Sequence, residues 1–336
     1  GGLMQFESSE QLKEIFDLQG KRRWQVAKTT AKERIQKLKK LRAAIVTRQQ
    51  EFYDAVWEDF HKSKFEAWLC EIFPTMEEID CAIENLSNWM EDKGGDWVFF
   101  LPTTKSHSHF EPKGRVLIMA PWNYPFLLFV SPIVSAIAAG NVVMAKPSNK
   151  TPRVSNFLAS LFEDIFDKSE VAVIEGSGSK VGDELLNLPF DHIFFTGSPK
   201  VGAHVGQMAA KVHAGLTLEL GGKSPTVILP HVNLADAAKK ITWGKTLNAG
   251  QTCIAPDYIF CPKDKVDEFA NLVAEQVKQM FGETFEKRKA SPDFVHIIDT
   301  AACTRHKALV EDALSKDAVS VLDQDTGNTE GLDENS

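Results

Sequence analysis

The sequence predicts an α/β fold: a doubly wound parallel sheet with an N-terminal helical layer, followed by a second α/β domain. Two observations support this fold class. Beyond Gly114, short apolar runs alternate with helical sequence, which is typical of a parallel sheet covered by helices on both faces. Before that point, apolar residues recur every three to four positions, which is the period of a helix. The predicted strands are residues 116–119, 142–145, 171–174 and 193–195.

The N-terminal region is predicted to be helical and then extended. Residues 7–93 form the helical layer, because apolar residues such as Leu38, Leu41 and Ile45 recur at helical spacing. Residues 97–113 contain an aromatic run, a turn and an alternating stretch. This pattern indicates an extended arm or a hairpin.

Helical sequence follows each predicted strand, first near 126–139 and then after Pro152. Right-handed crossovers place the loops after parallel strands at one sheet edge, where ligands bind. The second region begins near Glu219, so we predict one domain at 1–218, with strand-helix units over 114–218, and another at 219–336. The predicted elements of the second domain are strands at 226–229 and 257–261, helices at 235–247 and 265–281, and a loop or disordered tail at 323–336.

Composition excludes several classes of protein. With 336 residues, 43% of them apolar, the chain can bury a sizeable core. A net charge of −8 argues against a nucleic-acid partner. No apolar run is long enough to cross a membrane, and no signal peptide is visible. The five cysteines have neither disulfide nor metal spacing, and His107 with His109 lacks a third ligand. We therefore predict a cytoplasmic protein without a metal site.

A thiol and a carboxylate are the most informative residues. Cys253, in Gly-Gln-Thr-Cys-Ile, lies 34 residues after Glu219, in Leu-Glu-Leu-Gly-Gly-Lys. A thiolate can attack a carbonyl carbon, and a carboxylate can activate the water that hydrolyses the resulting thioester. Either residue alone is weak evidence, because most cysteines pack in cores and most glutamates are solvated.

Three further segments strengthen the case. They are residues 119–125 (Met-Ala-Pro-Trp-Asn-Tyr-Pro), 141–148 (Asn-Val-Val-Met-Ala-Lys-Pro-Ser) and 194–202 (Phe-Phe-Thr-Gly-Ser-Pro-Lys-Val-Gly). In this order, with the glutamate and cysteine segments, they resemble the aldehyde dehydrogenase superfamily, in particular its class 3 branch. The resemblance implies oxidation of a small-molecule aldehyde substrate with NAD or NADP as cofactor. It also implies a homodimer of the full-length form, since the arm pairs with a partner subunit in that family.

The residues themselves favour one nucleotide site. Gly197 and Ser198 follow a strand, and Pro199 is suited to open the next helix, whose N-terminal amides attract anions. The common dinucleotide fingerprint is absent, because Val181 stands at its third glycine. The sequence Gly222-Lys223-Ser224 lacks the earlier glycine of a phosphate-binding loop. The resemblance implies cofactor contacts at Pro121, Trp122, Lys146, Ser148, Asn149, Gly197, Ser198, Gly202, Leu220 and Gly221.

One position departs from the class 3 pattern. Glutamate usually follows Lys-Pro-Ser and holds the ribose hydroxyls, whereas this chain has Asn149 followed by Lys150. A carboxylate would repel a 2′-phosphate, but an amide beside a lysine would not. We hypothesise that this chain binds NADP⁺ at least as readily as relatives that carry the glutamate.

The mechanism implied by the resemblance uses three side chains. The Cys253 thiolate attacks the aldehyde carbon, and the oxyanion is held by the Asn123 amide and the Cys253 backbone N–H. Loss of hydride leaves a thioester, and Glu219 activates water to release the acid. An Asn between two prolines also suits a plain turn, so Asn123 alone would prove little.

The family pattern continues past residue 336, so the resemblance implies an incomplete catalytic domain. We expect that this chain alone has little or no turnover. Two alternatives remain: a catalytically silent binding or scaffold form of the same fold, and thioester or esterase chemistry at Cys253 without hydride transfer.

Overall fold

The computed structural model describes residues 8–96, 99–100, 102–176 and 178–321. The chain forms two compact units. The first comprises residues 1–55 and 68–220, and the second comprises residues 56–67 and 221–336. The short stretch 56–67 thus belongs with the second unit, although it lies inside the predicted N-terminal helical layer. The predicted tail at 323–336 lies outside the described residues.

The N-terminal part of the chain is helical, as its periodicity predicts. A short antiparallel pair follows, in which Lys93 is opposite Ser108 and Gly94 is opposite His107. Of the predicted arm, Trp97, Val98 and Leu101 lie outside the described residues. The elements are α1 (Ser9–Ala27), α2 (Ala31–Phe60), α3 (Lys64–Ala67), a π-helical turn (Trp68–Ile72), α4 (Phe73–Trp89), β1 (Lys93–Gly94) and β2 (His107–Ser108).

The first unit contains a parallel five-stranded sheet with strand order β5-β4-β3-β6-β7. The predicted α/β fold class and its four apolar strands are confirmed. The fifth strand, β7, is not predicted by the sequence pattern. The elements are β3 (Arg115–Met119), α5 (Leu127–Ala138), β4 (Val142–Lys146), α6 (Pro152–Glu163), β5 (Val171–Val173), α7 (Gly178–Leu186), β6 (His192–Thr196), α8 (Pro199–Lys211) and β7 (Gly215–Glu219).

Apolar packing fixes one face of this sheet. Leu117, Met144 and Ile193 are fully buried in a cluster that also includes residues of α1, α7 and α8. Since side chains alternate along a strand, the neighbouring residues Ile118, Val143 and Ala145 face the opposite side and are buried there. Burial on both faces explains why these strands are continuous apolar runs.

The second unit contains a smaller parallel pair of strands, β8 (Ser224–Val227) and β9 (Pro256–Phe260). One face packs on helices through Ile228, Ala238 and Phe269. Among the described residues, no helix is both long and apolar enough to cross a bilayer. The helices of this unit are α9 (Leu234–Thr246), α10 (Val266–Phe281), α11 (Phe285–Lys289) and α12 (Thr300–Leu314).

Candidate active site

The carboxyl edge of the five-stranded sheet gathers most of the predicted site residues. Met119 at the end of β3 is in register with Lys146 at the end of β4, and Thr196 of β6 is in register with Glu219 of β7. Parallel strands present their carboxyl ends at one edge. The segments that follow β3, β4, β6 and β7 therefore begin side by side. The strand pattern predicts this edge for the first three of them.

Asn123 lies in the loop between β3 and α5 and is partly buried. At the start of this loop, the Ala120 N–H donates to the Lys146 carbonyl at 3.0 Å. At its end, the N–H groups of Phe126 and Leu127 donate to the Glu71 carboxylate at 2.7 and 3.4 Å. Pro121 and Trp122, which also belong to the loop, are likewise partly buried.

Lys146 is an unusual strand-end lysine because it is only 5% exposed. Its Nζ donates to the Pro147 carbonyl at 3.1 Å. Burial lowers the pKa of Lys146 to about 8, since a low-polarity environment disfavours the ammonium form. Lys146 is therefore not a solvated surface lysine, which is the simplest interpretation of a lysine at a strand end.

The segment after β4 turns tightly into α6. The Ser148 carbonyl accepts from the Ser155 hydroxyl at 2.7 Å, while the Ser148 hydroxyl accepts from the Lys150 N–H at 3.3 Å. Asn149 is exposed at the tip of this turn. The Lys150 ammonium lies 5.9 Å from the ring centre of Trp122, so the loops after β3 and β4 meet there.

The start of α8 has the features of an anion site. Ser198 caps the helix, and its hydroxyl accepts from the Val201 N–H at 3.4 Å. Gly197 donates its N–H to the Glu219 carbonyl at 3.0 Å. A Cβ at Gly202 would lie 2.6 Å from Leu220 Cδ2, so only glycine lets Leu220 approach the helix this closely.

The Glu219 side chain is exposed at the end of β7, as is Gly221 just beyond it. A carboxylate in this position can reach water, which a general base requires. Glu219 is therefore positioned by the edge strand β7. The sequence identifies Glu219 as a candidate catalytic residue but does not predict this strand.

Cys253 lies in the second unit, on a turn before β9, and its side chain is exposed. The three residues Asn248, Ala249 and Gly250 have φ values of +53°, +53° and +74°. This left-handed conformation costs non-glycine residues roughly 1–2 kcal/mol each. A Cβ at Gly222 would lie 2.2 Å from the Cys253 carbonyl oxygen, so the Gly-Gly segment after Glu219 packs directly on the cysteine turn.

Hydrogen bonds hold the strained turn. The Asn248 N–H donates to Glu66 Oε1 at 2.6 Å. Gln251 donates to the carbonyls of Asn248 and His296 at 3.0 and 3.1 Å, and its side-chain oxygen accepts from the Ile298 N–H at 3.0 Å. Gln251 thus connects the residues before Cys253 to the segment that precedes α12.

The structure brings together only part of the predicted constellation. Asn123, Lys146, Ser198 and Glu219 lie at one edge of the first unit, and Cys253 lies in the second. That the thiol and the carboxylate converge remains a prediction. Within the described ranges, no cluster of three or more His, Cys, Asp or Glu side chains is arranged to hold a metal ion.

Sequence reasoning missed Glu66 and Glu71, which lie in the helical layer. Glu66 is 182 residues from Asn248 along the chain, and Glu71 is 55 residues from Phe126. One signal was available for Glu71: it lies three residues after Trp68 and next to Ile72 in a helical segment, and a carboxylate that such a segment buries needs a partner.

The fold is α/β, and it places these segments at the carboxyl edge of a parallel sheet, which is where proteins of this class usually bind ligands. The aldehyde dehydrogenase family model matches residues 4–335. The chain is similar to aldehyde dehydrogenase family 3 member A2 of Pongo abelii, with 39% identity over 83% of this chain and 56% of the relative. It is also similar to the dimeric NADP-preferring aldehyde dehydrogenase of Canis lupus familiaris, with 37% identity over 83% and 60%.

Solved structures agree. The substrate-bound AldH of Staphylococcus aureus superposes with a TM-score of 0.85 and 36% identity, covering 90% of this chain and 66% of that one. The Mycobacterium tuberculosis aldehyde dehydrogenase complexed with NAD⁺ gives 0.77 and 26%, covering 86% and 59%. The chain therefore belongs to the aldehyde dehydrogenase family. It spans 56% and 60% of the length of the two curated relatives.

Proposed function

We propose that this protein oxidises an aldehyde to a carboxylic acid with NAD⁺ or NADP⁺, through a covalent adduct on Cys253. The observation that carries the proposal is the sheet edge of the first unit. Four neighbouring strands, β4, β3, β6 and β7, end there. At or just after their ends lie four groups: the buried Lys146, the loop that carries the Asn123 amide, the capped start of α8 and the Glu219 carboxylate. Membership of the aldehyde dehydrogenase family supports the same chemistry.

The residue types suit their proposed roles. The Cys253 thiolate adds to the aldehyde carbon, and the Asn123 amide with the Cys253 N–H stabilises the oxyanion. One such donor is worth about 3–4 kcal/mol in the transition state. Glu219 then removes a proton from water, which attacks the thioester and releases the acid and the thiol.

The residues at the sheet edge fit a nucleotide cofactor. The N-terminal amides of α8 are hydrogen-bond donors at the positive end of the helix dipole, and the Lys146 ammonium is a cation, so both suit phosphate and ribose oxygens. Glycine at 202 leaves no side chain between the helix and Leu220. Ser148, Pro121, Trp122 and Gly221 flank the same segments. When bound, NAD⁺ or NADP⁺ supplies the acceptor for the hydride that the aldehyde carbon loses.

We propose that the protein also binds NADP⁺, because the exposed Asn149 brings no negative charge to the position where the ribose is expected. Equilibrium titration of both cofactors tests this idea. We expect Asn149→Glu to weaken NADP⁺ binding about tenfold or more relative to NAD⁺. A strong NAD⁺ preference in the unaltered chain, with no measurable NADP⁺ affinity, would end the idea.

Reduced-cofactor absorbance tests the function itself. We expect the purified chain, mixed with an aldehyde and either cofactor, to form reduced cofactor only at a low rate, in line with the little turnover expected of this chain alone, and Cys253→Ser to abolish this formation. Formation that is equally fast in the serine variant would contradict the assignment. Cytoplasmic location and dimerisation of the full-length form stay predictions.

A further inference from the structure

Glu71 is a fully buried carboxylate in the π-helical turn between α3 and α4. Its Oε2 accepts from the Phe126 N–H at 2.7 Å and from the Leu127 N–H at 3.4 Å. Wide helical turns of this type frequently occur at functional sites. The proposed reaction, which uses Cys253, Asn123 and Glu219, does not involve the Glu71 side chain directly.

The start of α5 needs such an acceptor. The first amides of a helix have no partner within the helix, and a polar residue at the cap position usually supplies one. Here the cap position is Phe126, which makes no side-chain cap hydrogen bond. Glu71 takes over this function from a distant part of the chain and places a carboxylate at the positive end of the helix.

The cap fixes one end of the loop that carries Asn123. The other end is fixed by the Ala120 N–H, which donates to the Lys146 carbonyl. Phe126 is further held by its ring, which lies 4.8 Å from the ring of Phe52. Asn123 stands midway between these two fixed ends, so a change at Phe126 would be transmitted to it through only two residues, the buried Tyr124 and Pro125.

We propose that Glu71 is a positioning residue that fixes the Asn123 amide for oxyanion stabilisation. The inference rests on the oxyanion role proposed above for Asn123. It predicts that removal of the Glu71 carboxylate slows reactions that form an oxyanion at Cys253 and leaves other reactions of the same thiol unaffected.

Two reagents separate these cases without cofactor or aldehyde. With p-nitrophenyl acetate, a bond forms between Cys253 Sγ and the acyl carbon, the ester C–O bond breaks, and p-nitrophenolate leaves after a tetrahedral oxyanion has formed. With iodoacetamide, Sγ displaces iodide, the thiol proton goes to solvent, and no oxyanion forms. The readout is the ratio of the acylation rate to the alkylation rate at Cys253. Alkylation is followed by the mass of the peptide that contains Cys253. Acylation is followed by p-nitrophenolate release, from which the rate of the Cys253→Ser variant is subtracted.

We expect Asn123→Ala to lower the ratio about 100-fold, the usual effect of removing an oxyanion donor. Glu71→Ala should lower it about tenfold or more, because small displacements of a catalytic group are costly. Glu71→Asp should also lower it, since the shorter side chain draws the carboxylate back. Glu71→Gln keeps the length and an acceptor oxygen, and should restore the ratio to within about threefold of the unaltered chain.

The exposed Glu77 on α4 is the matched control, and Glu77→Ala should leave the ratio unchanged. Ratios within twofold of the unaltered chain for both Glu71→Ala and Glu71→Asp would overturn the inference, provided Asn123→Ala lowers the ratio. If Asn123→Ala itself has no effect, the proposed oxyanion role has failed instead. Should Glu71→Ala unfold, which a loss of helical circular dichroism would reveal, the comparison of Glu71→Asp with Glu71→Gln decides.

Discussion

At the scale of single residues, burial changes the properties of Lys146 more than its position in the sequence suggests. The residue can be singled out because it follows an apolar strand and resembles a family lysine. That it is nearly inaccessible, with its pKa lowered to about 8, depends on packing from both faces of the sheet. No local pattern contains that information.

Lys146 makes stability depend on pH. Its pKa is about 8 in the folded chain and near its ordinary value of 10.5 when unfolded. Between these values the unfolded chain binds more protons, so the free energy of unfolding rises as pH increases from about 8 to 10.5. Below pH 8 the buried ammonium costs about 3 kcal/mol, to order of magnitude.

Lys146→Met should therefore be more stable than the unaltered chain at pH 7, and this difference should shrink as pH approaches 10.5. Urea unfolding of both proteins at several pH values measures it. Cofactor affinity should fall above pH 8 in the unaltered chain only, because the ammonium is lost. A stability difference that stays constant from pH 7 to 10 would contradict this account.

The two buried carboxylates show the limit of residue-level prediction. Cys253, Glu219 and Asn123 can be found because their side chains carry chemistry in a recognisable order. Glu66 and Glu71 act on backbone N–H groups far away in the chain. Only the folded structure shows which amides they reach.

At the scale of elements, the buried strands were predictable from the sequence, including β5 at one edge of the sheet, and the more exposed β7 at the other edge was not. Continuous apolar runs mark β3 and β4, each covered on two sides. Strand β7 lies at the sheet edge, and its residues 215–219 are exposed or only partly buried. The sequence of β7 therefore lacks the continuous apolar run from which the other strands are predicted. For the same reason, the predicted second domain begins at Glu219, which is the last residue of β7.

Helix α8 provides a matched test of close packing. A Cβ at Gly202 would lie 2.6 Å from Leu220 Cδ2, whereas a Cβ at Gly206 would lie 3.6 Å from Leu216 Cδ2, an ordinary contact. Gly202→Ala should lose about 1–3 kcal/mol through overpacking. Gly206→Ala should gain up to about 1 kcal/mol from helix propensity.

Thermal unfolding and cofactor titration measure both variants. Because Leu220 follows Glu219 directly, we also expect Gly202→Ala to weaken cofactor binding, and Gly206→Ala to leave it unchanged. Equal stabilities for the two variants would show that Leu220 moves aside without cost, against this account.

At the scale of the whole molecule, the two units differ in how completely their sheets are covered. In the five-stranded sheet, the central strands β3 and β4 are buried on both faces. In the second unit, Val227 and Phe260 are opposite each other on β8 and β9 and are 63% and 58% exposed. Tyr258 adds to the same face, with its ring 5.4 Å from that of Phe260. Contiguous apolar surface of this kind promotes association.

Polar substitutions on this face should reduce association and leave the fold intact. We expect Val227→Thr with Phe260→Ser to lower the binding of an apolar dye and to reduce aggregation on light scattering. The change in the free energy of unfolding should stay below about 1 kcal/mol, as is usual for surface positions. The control Phe269→Ser, on the buried face, should instead destabilise the second unit by several kcal/mol. Unaltered dye binding in the double variant would refute the prediction.

The most direct test of the account is to trap the acyl group on the protein. Glu219→Gln should allow the thioester to form and prevent its hydrolysis, so mass spectrometry after incubation with an aldehyde and cofactor should show the acyl mass on the peptide that contains Cys253. The same peptide should stay unmodified in the Glu219→Gln, Cys253→Ser protein. An acyl group on another residue, or none on Cys253 while reduced cofactor accumulates, would contradict the central claim.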